Sequence, residues 1–165
     1  MQERKIRLYL ESSLIIMLGG DQDPVKRAIS EEFFHRVAKK SDKYELLVSP
    51  VTIEELNAGI EKHGDGAVLF LNSLVHTRLQ ENDQAEKLAV VYIDNGVLSN
   101  DHLNDLRHSA YAVFVGCDYI VTWNMKHLAK ERTVTRINTV NLNENHGKIF
   151  ITTPDFFTRD ETDGQ

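Results

Sequence analysis

NDLRHSAYAVFVGCDYIVTWNMKHL, residues 104–128, joins a helical period to a strand period within one run. Leu103, Leu106, Ala110, Val113 and Phe114 fall on one side of a helix predicted over residues 100–115. DYIVT, residues 118–122, is short, branched and apolar, as a strand covered on both faces must be. Asn124 follows it after Trp123.

Working outward, the same alternation recurs. IRLYL, Ile6–Leu10, reads as a buried strand, followed by a loop with Gly19, Gly20 and Asp21. Val25, Ala28, Ile29, Phe33 and Val37 then keep helical spacing over residues 24–40, with Pro24 suited to the first turn. YELLVS, residues 44–49, is a second strand; Pro50 ends it, and Thr52 is placed to cap a helix carrying Glu54, Glu55 and Leu56. Helices are predicted over residues 65–74 and 83–95, a short strand near 78–80, and a last strand over 148–152. Buried strands separated by helices predict an α/β fold with a mostly parallel sheet covered on both faces. Ligands of such sheets bind beyond the carboxyl ends of the strands.

The 165 residues suit one domain, expected over 1–157, with a polar tail over 158–165. With 41% hydrophobic and 27% charged residues the composition is that of a soluble globular protein. Cys117 is the only cysteine, so no intrachain disulfide forms, and a reducing compartment is expected. The start MQERKIRLYL lacks the apolar run of a signal peptide, and no stretch is long and apolar enough to span a membrane. The expected location is the cytoplasm. A net charge of -6 and a pI near 5.6 argue against a protein that coats long nucleic acid, yet suit a site of carboxylates that require metal before they meet a phosphate.

Such carboxylates sit at the predicted strand ends. Glu11 follows the first strand, Glu54 and Glu55 the second, and Asp105 lies on the helix feeding the third, after which comes Asn124. Crowded carboxylates repel, and a cation relieves the repulsion. Oxygen ligands favour Mg²⁺ or Mn²⁺ over zinc. Read singly, each acid is equally a helix cap or a solvated loop residue.

The spelling of these segments resembles the PIN-domain family. RLYLESSLI is similar to the opening of PIN domains, usually YLDTS; VSPVTIEEL to their second motif; and residues 104–128 to the third and fourth together, with relatives reading like DALHIA and then DYLVTWNFKHI. The likeness extends over residues 6–154 and is greatest to bacterial VapC-like proteins that carry TWN where others carry an aspartate. The resemblance implies a three-layer α/β/α sandwich, a Mg²⁺- or Mn²⁺-dependent ribonuclease, an RNA substrate, an antitoxin partner and a homodimer. It gives Glu11, Glu55 and Asp105 the metal and catalytic roles, with Asn124 as a polar fourth member that orients water. Glu54 matches a variable position. The first acid is usually aspartate, and here it is Glu11. That departure opens a competing reading: a degenerate PIN domain that binds RNA or a protein without cutting. A DNA substrate is a third.

Ser12 and Ser13 are expected to satisfy backbone groups in the turn after the strand. His108, one turn from Asp105, is expected to be structural, because the seven histidines form no HxxxH pair or Cys/His cluster. Trp123 is expected to anchor packing, and Gly19-Gly20 to form a turn. Lys126, His127, Lys130, Arg132 and Arg136 form the most basic stretch, read equally as a solvated helix face or as an RNA-backbone rail.

Overall fold

The computed structural model describes residues 3–20 and 23–159; Asp21 and residues 160–165 of the expected tail lie outside the described residues. Strands β1 (Ile6–Leu10), β2 (Tyr44–Val48), β3 (Thr77–Arg78), β4 (Tyr119–Val121) and β5 (Phe150–Thr152) form one sheet in the order β3-β2-β1-β4-β5. Every pairing is parallel, with Leu8 opposite Leu46 on one side and Tyr119 on the other. The helices are α1 (Ser12–Ile16), α2 (Pro24–Ala38), α3 (Pro50–Ala58), α4 (Ile60–His63), α5 (Gly66–Ser73), α6 (Asp83–Asp94), α7 (Leu103–Phe114) and α8 (Glu131–Asn143).

The period-2 pleat divides the core into two layers. Leu8, Leu10, Leu46, Val48 and Val121 pack with residues of α1, α2 and α5, whereas Tyr9, Leu47 and Ile120 pack with α6, α7 and α8. Helix α3 supplies Leu56 to the first layer and Val51 to the second, so it lies across the carboxyl end of the sheet. The result is an α/β/α sandwich whose central strand, β1, delivers residue 11 to the middle of that end.

Several expectations shift. Ser49, not Thr52, caps α3: its hydroxyl accepts from Val51 N at 3.2 Å, and Pro50 takes the first helical position, where a missing N–H costs nothing. Thr52 completes the capping box. Ser12 and Ser13 lie in a helix, α1, rather than a turn. Val25 is exposed, and the buried stripe of α2 runs instead through Ser30, Phe33, Phe34 and Val37. The edge strand falls at Thr77–Arg78, slightly earlier than read. Gly19 does more than turn the chain: a Cβ there meets Ala67 N at 2.7 Å, so the glycine lets the end of α1 touch α5. No helix among the described residues is long and apolar enough to cross a membrane.

Candidate active site

Glu11 leaves β1 and immediately becomes the N-cap of α1, its carboxylate accepting from Ser13 N at 3.1 Å. It is 4% exposed. Its remaining lone pairs accept from Ser12 Oγ at 2.8 Å, from Thr122 Oγ1 at 2.7 Å and from Ser13 Oγ. Thus hydroxyls from α1 and the end of β4 satisfy a buried charge that would otherwise be costly. Ser13 Oγ also accepts from Trp123 N at 2.9 Å, tying the end of β4 to α1. Trp123 packs into the first core layer and donates from Nε1 to Ser30 Oγ at 2.8 Å.

Glu55, on α3, turns its carboxylate toward Glu11. Ser12 Oγ lies 3.0 Å from Glu55 Oε1, so one hydroxyl bridges the two acids. His108 of α7 is fully buried between them: its Nε2 lies 3.6 Å from Glu11 Oε1 and hydrogen-bonds Glu55 Oε1. One ligand atom from each of Glu11, Glu55 and His108 lies within 4.8 Å of the other two, close enough to share a cation. On the far side of the ring, His108 Nδ1 lies 2.6 Å from the buried hydroxyl of Tyr9, which is 2.6 Å from Ser49 Oγ and 3.3 Å from Thr52 Oγ1. The histidine expected to be structural is therefore in contact with both acids. The signal available in the sequence was its offset of three from Asp105, which puts both on one helical face.

Asp105 lies one turn before His108 on α7, half-buried, with Oδ2 3.4 Å from His102 Nδ1. The side chain of Asn124 faces this carboxylate and favours its charged form. Asn124 Oδ1 accepts from His127 N at 3.2 Å and Leu128 N at 3.4 Å, so the atom expected as an oxygen ligand serves the following turn. What remains for Asp105 is the amide NH₂. His127 stacks on His102, ring centroids 3.9 Å apart, closing this flank.

The charges respond to this crowding. Burial works against ionised Glu55, but the hydrogen bond and charge of His108, the Ser12 hydroxyl and Arg107 hold its carboxyl below the usual range. Burial likewise works against charged His108, yet Glu55 and the charges of Glu11 and Asp105 raise it above an ordinary histidine. Burial, with the charge of Glu11, pushes Asp105 up, against the pull of Asn124, His108 and His102.

The other candidates separate. Glu54 is exposed and paired with Arg107 at 3.1 Å, away from the cluster, while Arg107 also grips Glu86 through two bonds of 2.8 Å. Lys126, Lys130 and Arg132 are exposed on the turn after β4 and the start of α8. Arg136 instead donates to Gly96 O at 2.9 Å, which anchors α8 to the loop after α6.

No family model matches this sequence. No curated protein matches it either. Among solved structures, the chain is similar to one in VapBC2 from Rickettsia felis bound to a DNA fragment from their promoter, with a TM-score of 0.57 and 13% identity over 90% of this chain and 98% of that one. At that identity the likeness concerns the fold, a PIN-like α/β sandwich.

Proposed function

We propose that this chain is a divalent-metal-dependent endoribonuclease of the PIN type, acting as the toxin of a toxin–antitoxin pair in the cytoplasm. The observation that carries the reading is the meeting of Glu11 and Glu55 beyond the carboxyl ends of β1 and β2, with Asp105 and Asn124 on the adjoining helix and loop. Glu11 and Glu55 bring carboxylate oxygens within one cation's reach, a donor type that fits a divalent ion. Glu11 and Glu55, with Asp105 on the adjoining helix outside that close cluster, would hold Mg²⁺ or Mn²⁺, which would supply a Lewis acid that activates water and offsets charge on the phosphoryl group. Around it, Ser12, Ser13 and Thr122 fix the Glu11 carboxylate, and Asn124 favours the charged form of Asp105. Lys126, Lys130 and Arg132 form an exposed cationic rail for the RNA backbone, with Arg136 bracing the helix behind it. The R. felis structure, a VapBC2 assembly on promoter DNA, supports an antitoxin partner; a homodimer accords with the family resemblance.

One observation favours the non-cutting module. Both oxygens of Glu11 are already engaged by the chain's own donors, and the extra methylene lets the carboxylate fold back as a cap on α1. Induced expression in a bacterial host separates the two readings. A nuclease toxin arrests growth with loss of intact RNA, and Asp105→Asn relieves both. Normal growth with intact RNA at high expression supports the module.

A further inference from the structure

The carboxylates of this site have a nitrogen neighbour that the acidic-site reading leaves unused. His108 is fully buried, and its Nε2 points from α7 at Glu11 Oε1 and Glu55 Oε1. We propose that His108 Nε2 is itself a metal ligand, so that Glu11, Glu55 and His108 form a mixed oxygen–nitrogen set that prefers first-row transition ions such as Mn²⁺ over Mg²⁺, with Tyr9 as the residue that positions the ring. The inference rests on the reading of this edge as a metal site and not on RNA cleavage.

Imidazole nitrogen suits Fe²⁺, Ni²⁺, Cu²⁺ and Zn²⁺ best, and Mn²⁺ accepts it more readily than Mg²⁺, which favours oxygen and its own waters. A ligating histidine nearly always has its other nitrogen fixed by a hydrogen bond, and this one does. Tyr9 Oη lies 2.6 Å from Nδ1. Tyr9 is fixed in turn by Ser49 and Thr52, and Thr52 spends its own proton on Leu10 O at 3.3 Å. A phenol both donates and accepts. Tyr9 therefore serves His108 with the proton on either nitrogen: on Nε2, where it faces Glu55, or on Nδ1, which leaves the Nε2 lone pair directed between the acids. A rigid donor in that place would permit only one of these. Tyr9 lies on β1 and Ser49 caps α3, so the elements that deliver Glu11 and Glu55 also orient the imidazole.

The test is pulsed EPR on purified full-length wild-type protein with Mn²⁺ alone, grown with natural-abundance or ¹⁵N-labelled histidine. The proposal expects ¹⁴N modulation from a directly bound imidazole, replaced by ¹⁵N modulation on labelling. His102 and His127, which flank Asp105, are controlled by the double variant His102→Gln/His127→Gln, in which the modulation persists. In titrations, Tyr9→Phe lowers Mn²⁺ affinity by about 10-fold or more, the usual cost of removing such a partner, and changes Mg²⁺ affinity much less. Mn²⁺ that binds, is lost in Glu55→Gln, and shows no histidine nitrogen overturns the proposal and leaves an all-oxygen metal site standing. Modulation that vanishes in the double variant also overturns it. Absence of Mn²⁺ binding at millimolar concentration overturns both the proposal and the metal site beneath it.

Discussion

Ser12 is the most economical place to ask whether the two acids share one environment. It is 3% exposed, and its hydroxyl stands 2.8 Å from Glu11 and 3.0 Å from Glu55. One hydroxyl has one proton, so Ser12 gives a full hydrogen bond to one carboxylate at a time while sitting between both. A hydrogen bond to a charged acceptor is worth about 1.5–3 kcal/mol. For a chain of this size each kcal/mol moves the midpoint by roughly 2–4 °C, so Ser12→Ala is expected to lower Tm by about 3–12 °C in chelator. With saturating Mn²⁺ the cation itself compensates the carboxylates, and the deficit should fall by at least half. Differential scanning calorimetry of both proteins, with chelator and with Mn²⁺, reads this directly. An equal deficit under both conditions would make Ser12 a packing residue unrelated to any cation, and no deficit in chelator would refute the bridge itself.

Two further outcomes follow from the charges. Glu55 is held below its ordinary range in the fold, so its stabilisation is present above the unfolded value and is lost as pH falls through the folded one. His108 is raised, so its stabilisation is complete below roughly pH 6.5 and is lost as pH rises through the folded value; Asp105, also raised, costs stability once ionised. Metal-free protein should therefore be more stable near pH 6 than near pH 9, and a flat or rising denaturation midpoint across that range contradicts the arrangement. Separately, Lys126→Glu with Lys130→Glu should weaken RNA binding and reduce the slope of log affinity against log salt by about 2, one for each phosphate that the rail no longer neutralises. Unchanged affinity and slope in filter binding return the stretch to a solvated surface.

How much of this was legible in the sequence depends on which force shaped each element. β1, β2 and β4 are buried on both faces, so their apolar runs announced them and their parallel packing. Helix α8 was legible only at its basic start, as one of two readings, because ERTVTRINTVNLN is rich in branched and Asn residues with low intrinsic helicity, and tertiary burial of Thr133, Ile137, Val140 and Asn141 holds it. Helix α1 escaped because five residues carry too little period, although its cap, Glu11, was open to reading as a helix cap. At the site, the positions of Glu11, Glu55, Asp105 and Asn124 beyond the strands followed from topology. The direction of each side chain did not: that Asn124 turns its oxygen to the backbone, and that His108 enters from α7 between two acids, depends on packing between elements far apart in the chain. Glu54 and Glu55 are adjacent, and only the rotation of α3 sends one to Arg107 and the other to His108.

The claim that these carboxylates cut RNA with a divalent ion is tested most directly by single-turnover cleavage of a labelled mixed-sequence RNA. Wild type, Glu11→Asp and Glu11→Gln are compared in Mg²⁺ and in Mn²⁺, with Asp105→Asn as the control for contaminating nuclease. Mg²⁺ demands near-ideal octahedral geometry, and the longer Glu11 side chain is held back as a helix cap. Cleavage through a bound ion predicts a slow rate for wild type in Mg²⁺, a faster one in Mn²⁺, a gain in Mg²⁺ for Glu11→Asp, and none for Glu11→Gln. Wild type and Glu11→Asp both indistinguishable from Asp105→Asn in either metal would contradict it and leave a binding module in its place.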